Sequence, residues 1–178
     1  MSRRVLVLVS SVYALLAVLM FGWAAPTVQH SCGMAPPDAT VPWGAGYAET
    51  FLHACGSPGL QSYARMQVFD LFYPAALCAV LTVWSIQLGR GSWRALAIAM
   101  AIVGAAFDYL ENLAAWSVIR HGDGWAGSLP LTLAPVASVA KSLADSAAML
   151  LVAGLIVRAL ATVVLSRRTH PRVTPPNH

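Results

Sequence analysis

The sequence predicts an all-α fold, a four-helix transmembrane bundle with both ends in the cytoplasm, and three observations lead there. The 178 residues are 58% hydrophobic and only 10% charged, with a mean hydropathy of +0.65, which is more apolar than a soluble domain of this size tolerates. The apolar residues form four long blocks separated by Pro/Gly-rich or Arg-bearing stretches, each long enough to cross a hydrocarbon core of roughly 30 Å. Eight of the eleven basic residues, Arg3, Arg4, Arg90, Arg94, Arg158, Arg167, Arg168 and Arg172, fall on one side of these blocks, and only Arg65 and Arg120 flank the other. That asymmetry is the positive-inside bias of a multi-pass protein of the plasma (inner) membrane. It also accounts for the net charge of +4 and the pI near 9.3 without an anionic partner. The sequence has no basic face with interleaved aromatics and no phosphate-cradling Gly-rich loop, so nucleic acid is not expected as a partner.

The first block, residues 5–25, follows two arginines and ends in small residues, as a signal peptide would. Its apolar run is too long for a signal core, so an uncleaved first helix is expected, ending at Pro26. Residues 26–59 then form an outer loop segment. Within it Tyr47, Phe51 and Ala54 recur at helical spacing, which predicts a short amphipathic helix lying on the membrane surface, with Gly56 as its C′ residue. Ser57-Pro58 reads as the start of a second span over 60–88, and Leu88 to Ser92 as a tight cytoplasmic turn. The third span covers 93–119, followed by an outside loop over 120–124, and the fourth covers 130–165. Residues 1–165 thus make one membrane domain, and 166–178, with three prolines and no periodicity, a disordered cytoplasmic tail. Trp23, Trp93, Trp116 and Trp125 fall near the proposed interfaces, as an aromatic belt requires.

Six ionisable residues lie inside the proposed spans: Arg65, Asp70, Asp108, Glu111, Lys141 and Asp145. Each costs at least a few kcal/mol in hydrocarbon unless it faces the interior, finds a partner or is neutralised. Asp108, Glu111 and Asn112 are spaced i, i+3, i+4 and share one face of the third helix. Lys141 and Asp145, one turn apart and flanked by Ala137, Ser138 and Ala148, mark a face of the fourth that can approach another helix closely. Counting inward from the outer end of each span, Asp108 is about 18 Å and Glu111 about 13 Å below Arg120, and Lys141 is about 16 Å below Pro130. Lys141 is therefore expected level with both carboxylates, with Asp145 one turn deeper. In the second span Pro74 cannot bond the carbonyl of Asp70, so a kink is expected there that frees this carbonyl for a ligand or water. Four carboxylates against two cations leave at least one protonated or cation-bound, the raw material of acid/base chemistry, proton relays or cation sites.

The outer segment also holds a repeated tetrapeptide, His30-Ser31-Cys32-Gly33 and His53-Ala54-Cys55-Gly56. A Cys32–Cys55 disulfide is the simpler reading in an oxidising compartment. A zinc or copper site of His30, Cys32, His53 and Cys55 is the alternative, although the usual C-x₂₋₄-C spacing is missing. No cofactor is otherwise implied. Cys78 reads as a packed small hydrophobe.

From Gly44 to Asp145, somewhat over half of the chain, the sequence resembles a family of bacterial four-span membrane proteins that have no assigned activity. The shared landmarks are Gly46-Tyr47, Asp70-Leu71-Phe72-Tyr73-Pro74, Phe107-Asp108-Tyr109-Leu110-Glu111-Asn112 and Lys141. The resemblance implies that these residues belong together and supplies no reaction. The His-Cys tetrapeptides lie outside the family's pattern, which implies a local structural role for them. Four-helix membrane isomerases and sterol-binding proteins share only the architecture.

Three functions are compatible with this pattern. The first is a pocket in the outer half of the bundle that binds or transforms a membrane lipid, a lipid-like or a cationic small molecule. In it Asp108, Glu111 and Asp70 hold or shuttle protons, Asn112, Tyr73, Tyr109 and Arg65 contact the ligand, and Lys141 balances charge with Asp145 nearby. The second is a small proton- or cation-coupled transport element, which four helices without inverted repeats support poorly in a monomer. The third is a non-catalytic subunit of a larger membrane complex or homo-oligomer, whose polar network serves packing. A Schiff base at Lys141 ranks last, and nucleophilic Ser or Cys catalysis lacks a histidine base within the spans.

Overall fold

The computed structural model describes residues 2–121 and 129–169. Every regular element in them is helical, and four continuous helical stretches are long and apolar enough to cross a membrane: Arg3–Cys32, Ala45–Leu88, Gly91–Arg120 and Leu129–Leu165.

The first stretch runs on past Pro26. It is built from α1 (Arg3–Leu19), a π-helical turn (Met20–Ala24) and α2 (Ala25–Cys32). Pro26 sits in the first turn of α2, where the missing N–H is lost at little cost because the preceding π turn already shifts the hydrogen-bond pattern. Thr27 donates its hydroxyl to the Trp23 carbonyl at 2.7 Å. The helix ends two turns later than expected, at Gly33, whose φ of 68° is the left-handed conformation a C′ glycine supplies. The connecting segment is therefore residues 33–44, with one 3-10 turn at Pro37–Ala39.

The second stretch is two helices, α3 (Ala45–Asp70) and α4 (Tyr73–Leu88). The segment expected as a short amphipathic helix is the first part of α3. Gly56, at φ 57°, bends α3 between that part and the remainder that begins at Pro58. A second break falls at Leu71 and Phe72, one residue ahead of Pro74, which occupies the first turn of α4. Helices α5 (Gly91–His121) and α6 (Leu129–Thr169) complete the bundle. Helix continues to Thr169, four residues into the expected tail. Residues 170–178, the rest of the 120–124 loop beyond His121, and Trp125 lie outside the described residues.

Packing follows the small residues. α5 and α6 lie along each other closely through Ala97, Ala101, Ala134, Ala137 and Ala148, all 0–1% exposed, as expected where backbones approach. A Cβ at Gly104 would collide with the Asp145 carboxylate. α4 packs on α5, and α1 runs along α4, where Trp84 donates its indole N–H to Ser10 Oγ at 3.2 Å. Large apolar side chains point outward along the length of α1 and α6, Leu8 and Leu150 among them, as on helices solvated by lipid. A second small apolar cluster gathers Ala48, Ala114, Val118 and Leu131 around Trp43 of the connecting segment.

Candidate functional site

The segments 70–74 and 107–112 face each other. The break before Pro74 strips two carbonyls of helical partners, and α5 takes both. Asn112 donates Nδ2–H to the Asp70 carbonyl at 3.1 Å, and Tyr109 donates its hydroxyl to the Leu71 carbonyl at 3.0 Å. The Asp70 carbonyl is thus occupied by Asn112, not left for ligand or water. Supplying this partner inside the protein removes the penalty of an unpaired buried carbonyl. Tyr109 does this from an exposed position on the far side of α5, so it is a brace for the break and no part of the polar cluster.

Next to the brace lies the charge cluster. Asp108, Glu111 and Asn112 occupy one buried face of α5, each no more than 2% exposed. Lys141 of α6 reaches across to them, with Nζ 2.5 Å from Glu111 Oε2 and 3.0 Å from Asp108 Oδ1. The Glu111 contact is a charge-assisted hydrogen bond. The Asp108 contact is an ion pair that places the same ammonium against Oδ1. The second oxygen of Glu111 accepts the indole N–H of Trp43 at 2.6 Å.

Arg65 is not in this cluster. It is exposed, beside Trp23 and Thr27, because its position on α3 faces away from α5. The expected balance of four carboxylates to two cations is therefore wrong in both numbers. Lys141 is the single cation among the described side chains of the cluster, and a further acid joins from the connecting segment. Asp38, in the 3-10 turn, accepts Nε2–H of the fully buried Gln67 at 3.0 Å. The buried Tyr63 hydroxyl is a further neighbour of the Asp38 carboxylate. Burial pushes the Asp38 carboxyl up to about 6, with Lys141 pulling it down and Glu111 and Asp108 adding to the rise.

Asp38, Asp70, Asp108, Lys141 and Asp145 line a cavity of about 270 Å³. The rest of the lining is largely apolar, from Met20 and Phe21 of the π turn, Met66, Leu77 and Met149. Tyr73 also lines it, its hydroxyl 3.4 Å from that of Tyr13. Asp145, one turn along α6 from Lys141, belongs to the same cavity.

The connecting segment closes one end of this cavity. Trp43 is tied to Glu111 and Asp38 to Gln67, and Ser138 of α6 donates to the Thr40 carbonyl at 3.3 Å. Cys32 and Cys55 stand at disulfide distance, with sulfurs 2.11 Å apart, and tie the end of α2 to α3. The two cysteine sulfurs therefore meet each other instead of sharing a metal with the exposed His30 and His53. No group of three His, Cys, Asp or Glu side chains among the described residues is arranged to hold a metal ion. Cys78 is a partly buried thiol packed against the core.

Sequence reasoning did not reach Asp38, Trp43, Gln67 or the buried Tyr63. A polar or aromatic residue in a Pro-rich connector carries no signal of burial, and Gln67 pays no obvious penalty at a helix position. The spacing of Gln67 and Asp70, one turn apart on α3, was the available clue. No protein-family model matches the sequence, and no curated protein or solved structure matches it either.

Proposed function

We propose that the chain crosses the plasma (inner) membrane four times with both ends cytoplasmic, and that the cavity is a binding site for a cationic or lipid-like small molecule. The carboxylates of Asp70, Asp108 and Asp38 receive its polar group and can take up or release a proton. The orientation is supported by the arginine asymmetry and by a cysteine pair suited to an oxidising outer face. In this orientation the connecting segment and the first part of α3 lie at the outer surface.

One observation carries the binding reading. The cavity lining holds four carboxylates, Asp38, Asp70, Asp108 and Asp145, against Lys141 as the one cation among the described lining residues, and a buried oxygen of Asp70 has no donor while Lys141 is already held by Glu111 and Asp108. A network serving packing alone is expected to be dry and internally paired. This one has space and an unmet acceptor. A second reading, a proton- or cation-transport element, draws on Asp145, which continues the acidic lining one turn farther along α6.

The test uses the full chain in nanodiscs. Native mass spectrometry of the purified protein is expected to reveal a copurified small molecule or lipid. The same molecule, added back, is expected to raise the melting temperature of the wild type but not of Asp70→Asn or Asp108→Asn. Equal shifts in all three proteins would rule the pocket out. Proton flux in liposomes that disappears with Asp145→Asn would favour the transport reading.

A further inference from the structure

We infer that the ligand is a membrane-dissolved amphiphile with a primary ammonium headgroup, admitted sideways between the π turn and α6. This rests on the pocket reading above and adds to it a chemical class and a route.

The route comes from which helices touch. The π turn packs on α3, and α6 packs on α5 and α4, but among the described residues the π turn and α6 make no extended contact with each other. The cavity lies in that gap. Tyr73 and Leu77 of α4 contribute to its lining, Phe21 of the π turn and Ala25 of α2 flank one side, and Ser142 and Ser146 of α6 another. Phe21 is 62% exposed at the lip and sits within the π turn, a helix irregularity often found at functional sites. The end of the cavity beneath the connecting segment is shut by the Trp43, Ser138 and Gln67 bonds and stapled by Cys32–Cys55. Entry there would require breaking several buried contacts, whereas the side between the π turn and α6 carries no such set of bonds among the described residues.

The class comes from volume and donor count. A space of about 270 Å³ falls below the roughly 300–1,000 Å³ of sites that enclose a whole drug-sized ligand. It suits a headgroup and the first part of a chain whose remainder stays in lipid. The apolar lining of Met20, Leu77 and Met149 offers adaptable thioether contacts to that chain. Among the polar residues of the lining, Asp70 has a buried oxygen lacking a donor, and Asp38, Asp108 and Asp145 stand with it against the single described cation, Lys141. A primary ammonium brings three N–H donors and one positive charge to that set. A quaternary ammonium brings the charge and no donors, and an alcohol brings one donor and no charge. A metal ion would need three convergent ligands, which the described side chains do not offer.

The experiment is photolabelling of the full chain in phosphatidylcholine nanodiscs. The probe is a C16 primary amine carrying a mid-chain diazirine and a terminal alkyne. Labelling is expected on the peptides bearing Phe21 and Met149, and unlabelled hexadecylamine is expected to compete at least tenfold better than hexadecanol, hexadecyltrimethylammonium or butylamine. Ser142→Trp and Ser146→Trp, each introduced at the lip, are expected to reduce labelling at least fivefold. Their melting temperatures report whether they fold, and a folded variant of either kind suffices. If both misfold, competition among the four probes on the wild type decides the matter alone. Competition by butylamine as strong as by hexadecylamine, sensitive to Asp70→Asn but not to the lip variants, would overturn the amphiphile and its route while leaving the pocket standing. Labelling that ignores Asp70→Asn and Asp108→Asn alike would remove the pocket itself.

Discussion

Lys141→Met is the most searching perturbation of the cluster, because it removes the cation and keeps the volume. The ammonium lies 2.5 Å from Glu111 Oε2 and 3.0 Å from Asp108 Oδ1, and the lysine side chain is 19% exposed. At an effective dielectric of about 20, a unit charge at that distance from Glu111 is attracted by roughly 6–7 kcal/mol. Desolvation offsets much of this gain, but removing one partner of a buried pair leaves the other uncompensated, at a cost of about 3–5 kcal/mol. Loss of stability on that scale is expected for Lys141→Met in bicelles, measured by steric trapping or reversible denaturation in SDS. Glu111→Gln and the double variant complete a thermodynamic cycle. A coupling energy above about 1 kcal/mol is expected, beyond what exposed ion pairs give. A loss below about 1 kcal/mol together with zero coupling would refute the argument, since it would mean that water, and not protein, surrounds these charges.

Three further outcomes follow from the same geometry. Trp43→Phe keeps the ring and deletes the donor to Glu111, so a loss of about 1–3 kcal/mol is expected in the same assay; an unchanged stability would show that the connecting segment is not anchored there. Cys32 and Cys55 are 23 positions apart, and Cys32→Ser with Cys55→Ser is expected to cost about 3 kcal/mol by loop-closure entropy, read as a lower melting temperature that dithiothreitol reproduces in the wild type only. Asp38 has its folded-state value raised from 3.8 to about 6, so folding favours its protonated form. Its contribution is full below about pH 4 and is lost as the pH rises through about 6, a change of about 2–3 kcal/mol. Lys141, Glu111, Asp108, Asp70, Tyr63 and Gln67 are the groups that face it. Asp38→Asn is expected to flatten the fall in melting temperature between pH 4 and 7; parallel curves for the two proteins would count against this assignment.

The helical class and four long apolar stretches were legible because lipid-scale hydropathy is a property of whole segments and survives errors in any one residue. The i, i+3, i+4 spacing of Asp108, Glu111 and Asn112 gave one face, and rise per residue alone brought Lys141 level with it; the ion pairs lie where that arithmetic put them. The kink before Pro74 was readable from the missing N–H. What filled the freed carbonyl was not, because the partner, Asn112, is a tertiary neighbour 42 positions away. Pro26 misled for a related reason: a proline ends a regular α-helix, but a π turn ahead of it alters the rule. Arg65 was assigned to the interior on sequence position, whereas a helix has an outside as well as an inside, and one arginine without a spaced partner does not say which it occupies. Asp38 and Trp43 were invisible since a connector that folds back into a bundle has the same composition as one that does not.

The lysine that neutralises the cluster has a consequence for how the protein is made. Chains emerge from the ribosome N-terminus first, and domains are built in that order. Asp70 and the Asp108/Glu111 pair are therefore synthesised well before Lys141, which lies on the last helix. Until α6 arrives, α5 carries two acids with no counter-charge, an unfavourable cargo for release into lipid. In the proposed four-span arrangement Lys141 brings these acids their first counter-charge. A chain truncated before α6 is expected to linger at the insertion machinery or be degraded, and one that reaches Lys141 can close its charge balance and leave.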